Sequence, residues 1–181
     1  MPGAQNAQML VDEYALSIAA AQLAEEKERL TDEFLAENTF ELLPYVRQTI
    51  VYFDGLKGGR SDQDLALVVV SGAIHERVMS SLDGHGLTGY FDFICSGDEV
   101  TQNKPDPAVY LLALEKTGFH ADECLAIEDT VIGVDSALAA GLTCCAIRSD
   151  YTANHDFSMA DVTVNSMEEA RQWIVARYFK S

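Results

Sequence analysis

Five short, mostly apolar runs, interleaved with stretches of helical spacing, constrain this chain more than any other feature. The runs cover residues 65–70, 91–95, 124–127, 143–147 and 162–164. Each is too short for a buried helix and is bounded by polar turns. Apolar residues run on without strict alternation, so both faces of each strand have to be covered. Helical patterns lie at about 73–85, 107–118, 130–140 and 166–178. Buried strands alternating with amphipathic helices predict an α/β fold, with a Rossmann-like parallel sheet flanked by helices on both faces.

Upstream the texture differs. Residues 1–8 read as a flexible start. From 9 to about 38 the chain is rich in Ala, Leu, Glu and Lys, without Pro or Gly. Leu10, Tyr14, Ile18, Leu23, Leu30 and Phe34 have helix-like spacing, and Thr31 ahead of Asp32 and Glu33 offers a second helix start. Residues 1–41 therefore read as a helical segment and 42–181 as the α/β core. Leu43, Val46, Ile50 and Phe53 are spaced by three and four, predicting a helix that ends near Gly58-Gly59. The β-branched and aromatic run 49–53 also suits a strand, though the helical reading is favoured.

Charge narrows the function. Twelve Lys and Arg stand against 29 Asp and Glu, for a formal net charge of −17. Such a surface repels phosphate backbones and anionic lipid, which excludes nucleic-acid and membrane-surface partners. A small phosphorylated ligand held locally with a metal is not excluded. No apolar stretch approaches the roughly 20 residues that span a bilayer. The first residues also lack a basic region followed by an apolar one, so the expected location is cytoplasmic. Cys95, Cys124, Cys144 and Cys145 lie in or beside apolar runs without metal-ligand spacing, and read as core thiols in a reducing compartment.

In an open parallel sheet, ligands bind outside the carboxyl ends of the strands. Ser71-Gly72 follows the first run, placing a hydroxyl before a helix where unpaired N–H groups favour an anion. An ordinary helix cap is the plainer reading. Lys104 precedes Pro105 on a segment biased to be extended, just ahead of a helix starting at Pro107. There it can neutralise a phosphoryl group; a solvent-exposed loop lysine is the alternative. Glu128-Asp129-Thr130 ends the third apolar run, with Gly133 beyond. Adjacent carboxylates at a buried strand end call for a cation, and Mg2+ suits few carboxylates plus water and phosphate. Alternatively, Asp129 merely caps the next helix.

The order and texture of these pieces resemble the haloacid dehalogenase-like hydrolase superfamily. The resemblance is to the helical-cap branch that includes β-phosphoglucomutase and phosphoglycolate phosphatase relatives. It runs from Leu67 to Gly141 and is carried by VVVSGA (68–73), YFDFICSGDEV (90–100), NKPDPAVYLLAL (103–114) and CLAIEDTVIGVDSALAAG (124–141). It implies that Ser71, with Gly72, hydrogen-bonds a transferring phosphoryl group and that Lys104 neutralises its charge. Asp129, assisted by Glu128, would hold Mg2+. Residues 9–40 would resemble the last helices of the cap, and the substrate would be a small phosphorylated metabolite.

The same resemblance exposes a shortfall. The family's first motif, DxDG[TV], carries the nucleophilic Asp and a second Asp that acts as acid and base. No DxD followed by Gly-Thr or Gly-Val occurs in this sequence. Asp62-Gln63-Asp64 precedes a strand and is at the wrong end, and Asp54-Gly55 lacks the second Asp. The expectation is a phosphatase or phosphomutase scaffold impaired in turnover, short at its N-terminus relative to capped members. Either residues 49–53 or a partner chain would complete the sheet, or the sequence begins after the motif. A non-catalytic phosphate-binding or protein-interaction role is the alternative. A receiver-type signalling domain fits poorly, since the earliest run ends in Ser71 and not in acids.

Overall fold

The computed structural model describes residues 2–37, 41–57 and 65–179, which form two compact units, Met1–Glu41 and Leu42–Ser181. The first holds α1 (Pro2–Glu13) and α2 (Ala20–Glu37), packed on one another. Helix thus begins at Pro2, where a flexible start was expected. The break falls not at Thr31 but over residues 14–19, where Ala15 takes a positive φ of 49°. Thr31 lies inside α2, and its hydroxyl donates to the Lys27 carbonyl one turn back, at 2.8 Å, instead of capping a new helix.

The second unit runs α3 (Val46–Asp54), β1 (Val68–Val70), α4 (His75–Gly84), β2 (Phe93–Cys95), α5 (Ala108–Thr117), β3 (Leu125–Glu128), α6 (Val131–Ala139), β4 (Thr143–Ile147), β5 (Val162–Val164) and α7 (Met167–Tyr178). Every strand pairing is parallel, as the apolar runs predicted. The strands form two sheets, however, β1-β2 and β3-β4-β5, in place of one. Val68 pairs with Phe93, Leu125 with Thr143, and Cys145 with Val162. Residues 49–53 do not close the gap. Their three-and-four spacing prevails over β propensity, and they lie in α3 with Thr49 and Phe53 buried. Among the described residues, one edge of β1 and one edge of β3 therefore carry no strand.

Helices cover both faces of the three-stranded sheet. On one side Ala126, Cys144 and Ala146 pack with Val109 and Tyr110 of α5 and Val134 and Ala137 of α6. On the other, Cys145, Ile147 and Val164 pack with Ala170 of α7 and with Ile127 and Trp173. Alternation along β4 sends the adjacent cysteines to opposite faces. All four cysteines are free thiols; Cys95, Cys144 and Cys145 are buried and Cys124 half-buried. Burial pushes the Cys144 thiol up to about 12 and Cys145 to about 11, so both act as packing groups.

Candidate functional site

Three loops leave the carboxyl ends of β1, β2 and β3. At the first, the Ser71 N–H donates to Cys95 O (2.9 Å) and the Ser71 hydroxyl accepts from the Ala73 N–H (3.1 Å). Ser71 does not cap α4. That helix starts four residues on, and the His75 N–H is taken by Asp98 Oδ1 at 2.8 Å. The β1 and β2 exits are latched by the Gly97 N–H donating to Ala73 O at 2.8 Å. The Asn103 amide also donates to Gly72 O, at 2.6 Å.

Lys104 is not a solvent-exposed loop residue. Its side chain is 10% exposed, its ammonium donates to the Val70 carbonyl at 3.1 Å, and it pairs with Glu128 Oε1. The same ammonium lies 4.9 Å from the centre of the Tyr110 ring. Tyr110, itself buried, donates its hydroxyl to the same Glu128 oxygen. Burial and the neighbouring Glu128 charge raise the phenol well above its ordinary value, so it remains a neutral donor. Since Val70 ends β1 and Glu128 ends β3, one ammonium ties together the carboxyl ends of the two separate sheets. The Ser136 hydroxyl donates to Asp106 O at 2.7 Å and fastens α6 to the Lys104 segment.

Glu128 and Asp129 have opposite surroundings. Glu128 is buried beneath Lys104 and Tyr110, and its carboxylate lies so close to Gly133 that a Cβ there would overlap it. Asp129 is exposed, and among the described residues its carboxylate makes no hydrogen bond or ion pair. Nor does Asp129 cap α6: Thr130 Oγ1 accepts from the Gly133 N–H at 3.2 Å and fills that place. Thr130→Ala is accordingly expected to cost about 1 kcal/mol in chemical denaturation. Asp129→Ala is expected to change stability by less than about 0.5 kcal/mol. Among the described residues no three His, Cys, Asp or Glu side chains converge as a metal cage. Mg2+ needs only one or two carboxylates beside water and phosphate. Asp129 has oxygens free for that use, whereas Glu128 is already engaged.

Asp54 lies elsewhere. It ends α3 and pairs with Lys57 at 3.3 Å, while Lys57 also pairs with Asp92 at 2.8 Å. Asp92 accepts from the Leu67 N–H, just before β1. Asp54 thus belongs to the amino ends of β1 and β2, and Lys104 to the carboxyl ends. Asp54 is the ordinary helix-end acid.

No local signal marks the roles of Tyr110, Asn103 and Gly97, since each acts on partners distant in the chain. Gly133 offered a signal: an isolated glycine in a helical pattern costs about 1 kcal/mol relative to Ala, so a close neighbour is expected.

Against known proteins, residues 15–147 match the family described as haloacid dehalogenase-like hydrolase. A CBBY-like protein of Arabidopsis thaliana is 48% identical over 68 residues, 38% of this chain and 21% of that protein. Protein CbbY of Rhodobacter capsulatus is 46% identical over 80 residues, 44% of this chain and 35% of that one. These matches thus span about a third or less of the relatives' own lengths. The crystal structure of CbbY from Rhodobacter sphaeroides in complex with phosphate superposes with a TM-score of 0.67 at 26% identity, covering 83% of this chain and 65% of that one. On the family match, the parallel α/β architecture and these relatives, the chain belongs to the haloacid dehalogenase-like hydrolases.

Proposed function

We propose that the strand-end cluster of Ser71, Gly72, Lys104 and Asp129 is a binding site for the phosphoryl group of a small phosphorylated metabolite. The site sits on a phosphatase or phosphomutase scaffold. The observation that carries this reading is the Lys104 ammonium, held between the β1 carbonyl end and Glu128 at the carboxyl ends of the strands. The phosphate bound to the similar CbbY of Rhodobacter sphaeroides supports the ligand class.

In this reading the Ser71 hydroxyl and the Gly72 backbone orient the phosphoryl oxygens, and Lys104 balances their charge. Glu128 and Tyr110 hold the ammonium still, so little reorganisation is needed as charge develops. Members of the family are typically Mg2+-dependent. Asp129 would hold that ion, assisted by Glu128, and bound Mg2+ would supply charge neutralisation at the phosphoryl oxygens.

Turnover is proposed to be impaired, because a covalent phosphoryl step needs a carboxylate nucleophile facing Lys104. Asp54, at the opposite ends of the strands, does not supply it. The edges of β1 and β3 that carry no strand among the described residues suit an extended segment of a partner chain, which would complete the sheet. Residues 1–41 are read as the end of a cap, and 42–181 as the core. A non-catalytic phosphate-binding role is the second reading, favoured by the same distant Asp54.

The test is a phosphatase screen of the purified chain with Mg2+ over sugar phosphates and phosphoglycolate. Hydrolysis is expected at background, on the order of 10⁶ below an intact nucleophile, and unchanged by Asp54→Asn. Robust turnover abolished by Asp54→Asn would overturn the reading.

A further inference from the structure

We infer that Asn103 is a positioning residue that sets the spacing between the Ser71 turn and Lys104; the inference rests on the phosphate-site reading above. One carboxamide touches both segments. Its Nδ2 donates to the Gly72 carbonyl at 2.6 Å, one residue from Ser71, and its Oδ1 accepts from the Lys104 N–H at 2.8 Å. A bonded carboxamide is rigid, so the two loops are held by both of its ends at once.

The packing around this carboxamide shows how closely it is fitted. A Cβ at Gly72 would come to 3.0 Å from Asn103 Oδ1. A Cβ at Gly97 would overlap both the Gly72 carbonyl and Asn103 Nδ2. Glycine at these two positions lets the loops after β1 and β2 close on the amide. Those loops are already joined without it, through Gly97 N–H to Ala73 O and His75 N–H to Asp98. What Asn103 adds is a second link from the Ser71 turn to the Lys104 segment, one that fixes the Lys104 backbone where the ammonium's bond to the Val70 carbonyl holds only the end of its side chain. An anion meeting both the Ser71 hydroxyl and the Lys104 ammonium depends on that link.

Inorganic phosphate titrated calorimetrically into the full chain tests this, alongside thermal unfolding of each variant. Asn103→Ala removes both bonds. Asn103→Asp keeps an acceptor for the Lys104 N–H but cannot donate to the Gly72 carbonyl. Gly72→Ala presses on the amide from the other side. Each is expected to weaken phosphate binding about tenfold, the worth of one well-placed hydrogen bond, in protein that still unfolds cooperatively. Because Gly72→Ala and Asn103→Ala disturb one contact, the double variant should bind no more weakly than the worse single. A merely structural role shifts the melting temperature and leaves phosphate affinity alone. Wild-type phosphate binding that Asn103→Ala leaves unchanged overturns the inference only, as does a fully additive double variant. A folded wild-type chain that binds no phosphate overturns the functional reading, and the inference with it.

Discussion

Replacing Lys104 by Met is expected to destabilise the unit Leu42–Ser181 by about 3–5 kcal/mol, the cost of leaving one member of a buried ion pair alone. The side chains of Lys104 and Glu128 are 10% and 9% exposed, so water does little to screen the pair. Removing the ammonium leaves the Glu128 carboxylate with the Tyr110 hydroxyl and no counter-charge. For a unit of this size the melting temperature should fall by roughly 10 °C. The double substitution Lys104→Met with Glu128→Gln removes both charges and should recover most of the loss, since a buried pair contributes little net stability. Equal melting temperatures for the single and double variants would show that the ion pair is not what the substitution breaks.

Gly133→Ala carries the second large effect, and its sign separates two accounts. Helix propensity alone predicts a gain of about 0.5–1 kcal/mol for Gly→Ala inside a helix. The geometry predicts a loss, because the new Cβ would overlap the Glu128 carboxylate. That carboxylate is held by Lys104 and Tyr110 and cannot swing aside without breaking both contacts. A loss of about 3 kcal/mol is expected, from overpacking together with partial disruption of the pair. The same substitution in a Glu128→Ala background should recover the propensity gain of about 0.5–1 kcal/mol, because the clashing group is gone. Urea unfolding of the four proteins measures this coupling directly. A stabilising Gly133→Ala in the wild-type background would contradict the packing.

Local pattern made the strands and helices legible. The run 143–147 and the run 162–164 coincide with β4 and β5, and α3 follows its three-and-four spacing but ends at Asp54; Gly58-Gly59, the expected end, and Asp62-Gln63-Asp64 lie outside the described residues. Boundaries drifted where turns intervene: residues 88–90 form a short 3-10 turn, and β2 begins only at Phe93. The helix start at Pro2 is not marked by local pattern, because the first residues lack an apolar stripe. The split of the sheet was not legible either, since strand pairing is a long-range property that local pattern does not encode.

The site divides in the same way. Chain order placed Ser71, Lys104, Glu128 and Asp129 at strand ends. Which carboxylate is buried and which is free depended on Tyr110, 18 residues away from Glu128 in sequence. Thr130, not Asp129, turned out to be the cap because its hydroxyl reaches the Gly133 N–H. With that place filled, the Asp129 carboxylate takes no part in capping α6.

The most direct measurement of the central claim is a titration of inorganic phosphate into the chain with and without Mg2+, repeated with Asp129→Asn. The account predicts that phosphate binds, that Mg2+ tightens it, and that Asp129→Asn abolishes the Mg2+ effect while leaving the fold intact. A folded chain that binds no phosphate, or a Mg2+ effect that survives Asp129→Asn, would contradict it.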